Sequence, residues 1–347
     1  MSGKGLITRV RDVRQLDKVR TTFRFSFPKE LSNRAIDILA IGSLVLEQVI
    51  QVKKWPRYGR QDTTPVGHLT FSPGGCAVNV SVVCARLGGK SAIVSAMGTG
   101  KFSHDIEDEL AISGVNTDFL CRLNGKDGNL VIILSDLRGD WTVMDFIDPE
   151  LRLRKEDIPP DNVFGQTKIV HIDGYSYVSA GDQETIDICV NRAKQQGCLL
   201  SVDASVPAVR TRLDFTRELF ERADFCFANQ EEFLAITGVK SFPEAVHSLQ
   251  PPGQKLWVIK QGSHGATIVT NQGSFHVPAF RVDVIDTIAA GDSFIAAFLT
   301  SLCRGGELFE SALRGSAAGA LACKGAGSLT YKFDMSAVDH LIRGENE

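Results

Sequence analysis

The residues with the clearest chemical potential lie in segment 286–292, which reads Asp-Thr-Ile-Ala-Ala-Gly-Asp. It stands between a strand-like apolar run at 280–285 and a helical pattern. Small side chains let the backbone approach a ligand closely, and the amides that begin a helix can bind an anion. Asp292 would lie in the first helical turn, where the helix dipole favours a negative charge. Aspartate is also a common early-helix residue, so a purely structural role stays open at this point.

A second segment places two glycines and a polar amide at the start of another helical pattern. Gly74 and Gly75 permit close approach of the backbone to a ligand. Asn79 follows and carries both donor and acceptor atoms. A helix-start loop with a capping asparagine is the structural alternative.

Two further segments follow predicted strands. Asn229 and Glu232 come directly after one strand, and Lys260, Gly262 and Gly265 come at the end of the next. Ligands of α/β sheets gather at the carboxyl ends of strands. The carboxylate could hold a metal through water, and the glycine turn suits a nucleotide phosphate or ribose. A capped helix start and a plain hairpin turn are the structural alternatives.

These segments need a framework, and most of the chain shows strand patterns alternating with helical ones. Strands separated by helices predict a largely parallel sheet covered on both faces, which is the α/β class. A hairpin over 266–277 is predicted at one edge of that sheet. The predicted buried strands are 36–42, 91–96, 169–172, 199–203, 224–228 and 256–260.

Two stretches interrupt the alternation. Residues 48–72 predict short strands joined by turns. Within 117–147, two strand patterns at 130–135 and 141–146 flank a turn and predict a β-hairpin. Together the two stretches predict a small, discontinuous second sheet at about 48–72 and 117–147.

Composition and charge narrow the class of protein. The 347 residues include 38 Lys and Arg against 41 Asp and Glu, so the net charge of −3 gives no electrostatic footprint for nucleic acid. The sequence has no run of 18 apolar residues, so we expect no transmembrane helix and no membrane partner. The eight cysteines form no CxxC pair, which favours reduced thiols and a cytoplasmic location.

The opening of the chain differs in charge from the remainder. Residues 1–35 carry nine Lys or Arg against three acids. We predict a basic N-terminal extension, disordered or partner-binding, with an organelle transit peptide as the open alternative. The folded domain is predicted to span 36–347.

The four segments together resemble the PfkB/ribokinase family of small-molecule kinases over roughly residues 36–330. Gly74, Gly75 and Asn79, with later glycines, match one family signature, and segment 286–292 matches the other. The resemblance implies a ribokinase-like fold, with a central mostly parallel sheet, helices on both faces and a small β-sheet lid. It also implies ATP and Mg²⁺ as cofactors, and transfer of a phosphoryl group to a hydroxyl.

The resemblance assigns roles around the phosphoryl group. Asp292 matches the catalytic base that takes the acceptor's proton. The amides of Ala289, Ala290 and Gly291 match the anion hole that stabilises charge on the transferring group.

The nucleotide and its metal are assigned in the same way. Asn229 and Glu232 match the family's Asn-x-x-Glu element near Mg²⁺, with Glu232 acting through water. Parts of the ATP site are matched by Lys260, by Thr287, and by Gly262 and Gly265, which flank a turn.

The acceptor is expected to lie against Glu47, Gly74, Gly75 and Asn79. The small sheet matches the family's lid, whose closure excludes water that would otherwise accept the phosphate. Lid strands in this family often pair between subunits, so the resemblance also implies a homodimer.

Three departures from the family pattern affect these expectations. Ala289 stands where the family usually has glycine, and its methyl group crowds the phosphate approach. Glu47 stands where many sugar kinases have aspartate, which moves the carboxylate by about one methylene and implies a different acceptor shape. After Asp203, Ser205 and Pro207 replace the usual Asn and Arg.

The leading interpretation is therefore a kinase that phosphorylates a sugar or sugar-like acceptor. A nucleoside kinase is an alternative, because nucleoside-specific members share these motifs. A non-catalytic sugar- or nucleotide-binding regulatory protein on the same fold is a third.

Overall fold

The computed structural model describes residues 8–9, 19–57, 59, 66–136 and 141–345. Its larger sheet has ten strands, and all neighbouring pairs are parallel except those of β13 with β12 and β14. The predicted α/β class with a mostly parallel sheet is confirmed. In spatial order the strands are β1 (Thr8–Arg9), β14 (Gly273–Val277), β13 (Ala266–Thr270), β12 (Leu256–Lys260), β11 (Phe225–Asn229), β10 (Leu199–Asp203), β9 (Thr167–Ile172), β2 (Ile36–Ile41), β5 (Ser91–Gly98) and β6 (Leu120–Leu123).

Helices cover both faces of this sheet because its strands are apolar on both sides. Alternate residues of β2 enter different cores: Ile38 and Ala40 pack into one, and Leu39 and Ile41 into the other. The first core is completed by α1 (Cys76–Arg86), α2 (His104–Ser113), α9 (Ala290–Cys303), α10 (Leu308–Ala322) and α11 (Met335–Arg343). The second is completed by α3 (Asp161–Gly165), α4 (Ala180–Gln195), α5 (Val206–Thr211), α6 (Leu213–Arg222), α7 (Gln230–Thr237) and α8 (Phe242–Ser248).

The second sheet is small and separate, as expected. It has four strands, in the order β4 (Val66–Gly74), β3 (Val45–Val52), β7 (Leu130–Asp136) and β8 (Trp141–Phe146). Its boundaries differ from the expected 117–147, because β6 pairs in parallel with β5 at the edge of the large sheet. Leu120 is buried there, and this burial explains why β6 joins the main core.

The prediction that residues 1–35 lie outside the folded domain is wrong for residues 19–35. Val19 and Phe23 are buried, and the ring of Phe23 lies 5.0 Å from that of Phe275 in β14. Arg34 donates hydrogen bonds to the carbonyls of Thr167 (2.8 Å) and Gln196 (2.7 Å). The apolar residues between the basic ones were the overlooked signal. Residues 1–7 and 10–18 lie outside the described part of the chain.

The strand-like run at 280–285 does not form a strand. The hairpin of β13 and β14 is followed outward by β1, so β14 already has a neighbour on each side. The chain leaves the sheet instead, and the amide of Ile285 donates to the carbonyl of Cys323 (2.8 Å). Val284 and Ile285 are more than half exposed.

Phe23→Ala is expected to lower the free energy of unfolding by about 3 kcal/mol, because it removes a buried ring from the core. Arg20→Ala is the matched control, since the ion pair of Arg20 with Glu310 is 40% exposed on both sides and should contribute less than about 1 kcal/mol. Urea denaturation of both variants measures the difference. Equal midpoints would show that residues 19–35 are not part of the core.

Candidate active site

Polar side chains lie at the carboxyl ends of five neighbouring parallel strands of the large sheet. Ser43 lies just beyond β2, Asp173 follows β9, Asp203 ends β10, Asn229 ends β11 and Lys260 ends β12. The carboxyl ends of parallel strands are the usual place for ligands in α/β proteins. The candidate site lies at these strand ends, where α1 and α9 also begin.

Asp292 is buried in the first turn of α9, and the two predicted signatures meet at its side chain. It is 8% exposed, and Asn79 Nδ2 of α1 donates to its Oδ2 over 2.8 Å. Burial raises the pKa of Asp292 above its ordinary value, although the hydrogen bond from Asn79, the charge of Lys260 and a hydrogen bond with Cys76 oppose the rise. A carboxylate whose pKa is raised is a stronger proton acceptor.

The start of α9 presents backbone amides next to Asp292. The amide of Ser293 donates a helical hydrogen bond to the carbonyl of Ala289 (2.9 Å). The amides of Gly291 and Asp292 come before it in the chain, where the amides of a helix have no partner within the helix. Ala289 has φ 57° and ψ 8°, in the left-handed region that favours glycine. This conformation gives a physical reason for the glycine usual in the family, and here alanine bears the strain.

The two glycines before α1 make room for groups of the protein itself. A Cβ on Gly74 would lie 2.1 Å from Glu47 Oε1, and one on Gly75 would lie 2.5 Å from the carbonyl oxygen of Ser43. Gly75 also has φ 93°. The backbone at Gly74 thus packs directly against the Glu47 carboxylate. The sequence analysis predicted that these glycines make room for a ligand, and not for a side chain of the protein.

Glu47 is a buried carboxylate in β3, at the junction of the two sheets. It is 6% exposed, and its Oε2 accepts a hydrogen bond from the amide of Ser328 (3.2 Å). Burial raises the pKa of Glu47 to about 7, the negative charge of Asp292 adds to the rise, and hydrogen bonds from Ser328 and Gly75 oppose it.

Asn79 joins these groups and retains one unused acceptor. It is 2% exposed and donates to Asp292 and, over 3.3 Å, to Ser328 Oγ. Within the described part of the chain, its Oδ1 is buried with no hydrogen-bond partner. Such an orphan acceptor suits a hydroxyl group of a ligand.

Lys260 and Asp203 form a buried ion pair, which the sequence analysis missed. Lys260 Nζ lies 2.9 Å and 3.0 Å from the two carboxylate oxygens of Asp203. Burial alone would lower the pKa of Lys260, but the charges of Asp203 and Glu232 outweigh it, and the pKa is raised. Lys260 is therefore an ammonium ion at neutral pH.

Asn229 and Glu232 form a capping box at the start of α7. The amide of Asn229 donates to Glu232 Oε2 (2.7 Å), and the amide of Glu232 donates to Asn229 Oδ1 (2.8 Å). The structural alternative from the sequence is therefore present. Among the residues that the structure describes, no group of three or more His, Cys, Asp or Glu could hold a metal. A divalent cation would fit beside Glu232 only with phosphate oxygens and water as its other ligands.

The remaining predicted nucleotide residues lie in the segment 262–265 and just before α9, where Gly262 is exposed and Gly265 is buried. Gly262 begins a short 3₁₀ turn, 262–264, with φ 56°, and Gly265 ends it with φ 90°. A Cβ on Gly265 would lie 2.0 Å from the carbonyl oxygen of Val277, so this glycine is required by the hairpin itself. Thr287 is exposed just before α9.

Asp173 is a second buried carboxylate that the sequence analysis missed. Its oxygens accept hydrogen bonds from the amides of Ser43 (2.6 Å), Ala77 (3.2 Å) and Tyr175 (2.9 Å). Asp173 thus ties the ends of β2 and β9 to the start of α1. An aspartate directly after a buried strand was the available signal.

The loop over 325–330 links the site to the small sheet. The amide of Gly327 donates to Asp286 Oδ2 (2.5 Å), and Ser328 contacts Glu47 and Asn79. A Cβ on Gly327 would lie 3.0 Å from both Val49 Cγ2 and Ser72 Oγ. No motif in the sequence indicated this loop.

Comparison with known proteins agrees with this site. The chain matches the pfkB family of carbohydrate kinases over residues 35–332. It is similar to a probable fructokinase-5 of Arabidopsis thaliana, 29% identical over 73% of this chain and 81% of the relative. It is also similar to an aminoimidazole riboside kinase of Salmonella typhimurium, 28% identical over 77% and 84% of the two chains.

The fold is shared with a solved structure of a putative ribokinase II from E. coli in complex with ATP and Mg²⁺. The TM-score is 0.77 at 21% identity, over 89% of this chain and 99% of that one. The protein therefore belongs to the pfkB family of carbohydrate kinases and has the ribokinase fold. Members of this family are phosphotransferases whose acceptor is an alcohol group. In the part of the chain that the structure describes, no helix is both long and apolar enough to cross a membrane.

Ala289→Gly is expected to raise the free energy of unfolding by roughly 0.5–1 kcal/mol, because glycine adopts the left-handed conformation without steric strain. Ala290→Gly is the matched control. It lies one residue further on, inside α9, and should instead destabilise by up to about 1 kcal/mol. Chemical denaturation checks both signs, and a loss of stability in Ala289→Gly would show that position 289 is unstrained.

Glu47→Gln is expected to change how stability depends on pH. The folded pKa of Glu47, about 7, exceeds its ordinary value of 4.5, so the folded protein holds the proton more tightly than the unfolded chain. The stability that this group contributes is full below about pH 4.5 and is lost as the pH rises through 7.

The difference in unfolding free energy, variant minus wild type, should therefore increase by up to about 3 kcal/mol between pH 4.5 and pH 8. Urea denaturation across this range measures it. Parallel curves for the two proteins would contradict the assigned burial of an ionisable group.

Proposed function

We propose that this protein is an ATP-dependent kinase that transfers the γ-phosphoryl group to a hydroxyl of a sugar or sugar-like acceptor, with Asp292 as the base. The observation that carries the proposal is the buried Asp292 carboxylate beside the amides that begin α9. A proton acceptor and an anion site thus share one helical turn.

Asp292 would accept the proton of the acceptor hydroxyl as that oxygen attacks phosphorus. Its burial supports this role because water is largely excluded and the carboxylate is a stronger base than in solution. Asn79 orients the carboxylate through the 2.8 Å hydrogen bond.

The backbone of Ala289, Ala290 and Gly291, continuing to Asp292, would form the anion hole. Of these amides, that of Ala290 already donates to the carbonyl of Thr287 (3.3 Å), so Gly291 and Asp292 would contribute most. Amides at a helix N-terminus carry partial positive charge and need no rearrangement as charge develops on the phosphoryl group. Ala289 adopts the left-handed conformation directly before these amides.

ATP would lie along the carboxyl ends of β11 and β12, against Asn229, Lys260, Thr287 and the turn that Gly262 and Gly265 flank. The residues fit an anionic nucleotide because the free amides of α9 and the Lys260 ammonium lie together. Mg²⁺ would be held in part by Glu232 through water, and when bound it offsets the phosphate charge. The similar E. coli structure, which was solved in complex with ATP and Mg²⁺, supports this pair of cofactors.

The acceptor would be gripped by Glu47, Asn79 and the backbone of Gly74 and Gly75. The unpartnered Oδ1 of Asn79 offers an acceptor for a hydroxyl hydrogen. Glu47, with a pKa of about 7, can be either a donor or an acceptor near neutral pH.

The small sheet would act as the lid of the acceptor site, so that residues 45–52, 66–74, 130–136 and 141–146 move against the rest of the domain. Its contact with the loop at Gly327 and the position of Glu47 in β3 support this division of the chain. Closure would keep water away from the phosphoryl group.

A homodimer through the lid is supported by the apolar face of the small sheet. Leu69, Phe71, Met144 and Phe146 are each about half exposed or more and lie on one face. Large exposed apolar patches commonly mark interfaces. Analytical ultracentrifugation tests this, and a monomer at micromolar concentration would argue against it.

A cytoplasmic location is supported by the eight cysteines, all of which are free thiols. A similar fructokinase-6 of Arabidopsis thaliana is described as chloroplastic, so organelle targeting by the basic residues before position 36 is the competing proposal. Cell fractionation of the full-length protein separates the two.

A nucleoside kinase is the second candidate, favoured by the similarity to an aminoimidazole riboside kinase. ATP consumption with a panel of hexoses, pentoses and nucleosides discriminates the two activities. Nucleotide binding without turnover of any acceptor would instead favour a regulatory protein that does not catalyse.

Asp292→Asn is expected to lower kcat by about 10²- to 10⁴-fold, the usual contribution of a general base. The fold should persist, because asparagine can still accept the hydrogen bond from Asn79. Asp283→Asn, an exposed change in the preceding segment, serves as the control. Phosphoryl transfer is measured for each variant, and near-normal turnover of Asp292→Asn would remove Asp292 from the role of base.

A further inference from the structure

Lys260 and Asp203 form an ion pair between two strands that are not neighbours in the sheet, so the pair spans the end of the strand between them. Asp203 ends β10, Lys260 ends β12, and β11 lies between them. The ammonium lies within 3.0 Å of both carboxylate oxygens, and the two side chains are 17% and 9% exposed. The two hydrogen bonds that Lys260 donates to one carboxylate fix the position of an otherwise flexible side chain.

The fixed ammonium lies against the first turn of α9. A Cβ on Gly291 would be 3.3 Å from Lys260 Nζ, and 3.8 Å from its Cδ and Cε. A larger side chain at position 291 would therefore press on the ammonium. Because Gly291 has no side chain, the Lys260 ammonium can lie close to the backbone at the start of α9.

The charges around this ammonium are mostly negative. Asp203, Glu232 and Asp292 all act on Lys260 through their charges. An incoming phosphoryl group is also an anion and would be repelled by these carboxylates. A cation held at the start of α9 counters that repulsion where the phosphoryl group must pass.

Stability alone explains this pair poorly. A buried ion pair often gives no net stabilisation, because the loss of hydration offsets the attraction. The chain has a comparable pair at the opposite edge of the sheet: Lys168 Nζ lies 2.7 Å from Asp37 Oδ1, with both side chains 10% exposed. That pair lies at the amino ends of β2 and β9 and provides a matched control.

We propose that Lys260 is a catalytic residue that contacts the transferring phosphoryl group, and that Asp203 is a positioning residue that holds the Lys260 ammonium at the start of α9. This inference rests on the proposed kinase function. As the bond between the γ-phosphorus and the β,γ-bridging oxygen breaks, a bond forms from phosphorus to the acceptor oxygen, and ADP leaves. The acceptor's proton passes to the Asp292 carboxylate, while Lys260 keeps its own protons throughout.

Lys260→Met, Lys260→Arg, Asp203→Asn and the double variant Asp203→Asn/Lys260→Met test the proposal, with Asp37→Asn/Lys168→Met as the control. Lys260→Met should lower kcat about 100-fold, as does the loss of a donor to a developing anion. Lys260→Arg should recover part of this loss. Asp203→Asn should lower kcat about 10-fold, because a displaced group misplaces the reacting atoms.

The double variant separates catalysis from structure. It removes both charges of the pair, so neither member is left buried without its partner, and a merely structural pair would allow the variant to recover activity. A catalytic Lys260 predicts that the double variant stays as slow as Lys260→Met, whereas the control pair keeps kcat within about twofold of wild type. Recovery of activity in the double variant would overturn the proposal, and so would an unchanged kcat in Lys260→Met.

Nucleotide binding gives a readout that does not depend on turnover. Because the ammonium would contact the γ-phosphoryl group, Lys260→Met should weaken ATP binding about tenfold in calorimetry, which is about 1.4 kcal/mol, and ADP binding less than twofold. Equal losses for both nucleotides would contradict the contact. If wild type phosphorylates no acceptor, the proposed function fails on that result, and the ATP-to-ADP contrast still decides where Lys260 acts.

Discussion

The structure depends on burying several carboxylates near the carboxyl ends of the strands of the large sheet. Glu47, Asp173, Asp203 and Asp292 are each less than 9% exposed. An unpaired buried charge is costly, so each of these side chains needs donors nearby. The donors differ from one carboxylate to the next. Backbone amides surround Asp173, an ammonium pairs with Asp203, and Asp292 has the side-chain amide of Asn79 and the thiol of Cys76. The best supplied carboxylate organises the fold, and the less satisfied Asp292 remains available for chemistry.

Local patterns made much of this arrangement predictable from the sequence. The alternation of strands and helices indicated the sheet, and segment 286–292 with Asn79 indicated the centre of the site, because these features are encoded by neighbours in the chain. Ser328 could not be found in this way, since it reaches the site through tertiary packing from a segment without a motif. Asp203 ends a predicted strand, but its pairing with Lys260 across β11 is a tertiary contact that no local pattern encodes. The run at 280–285 has the composition of a strand, but the adjacent sheet edge is already occupied. Composition therefore failed where the number of available partners decided the outcome.

Two of the departures from the family pattern, Ala289 and Glu47, have different physical consequences. Ala289 keeps the left-handed turn that glycine would adopt freely, so the anion-binding backbone is retained at the expense of strain. Glu47 fills the space that Gly74 leaves and takes a hydrogen bond from Ser328. In the proposed site, the departure at position 289 would therefore affect the anion hole through backbone strain, and the departure at position 47 would affect the acceptor side through a longer side chain.

The N-terminal segment also has a consequence for how the chain acquires its structure. Phe23 packs on Phe275 of β14, and Phe25 packs on Phe225 of β11, so residues near the start of the chain contact strands that are translated much later. Contacts between segments so distant in sequence form slowly, because a large loop must close first. During synthesis Phe23 and Phe25 therefore lack these partners until β11 and β14 have been made, and apolar side chains exposed in this way make an incompletely folded chain prone to aggregation.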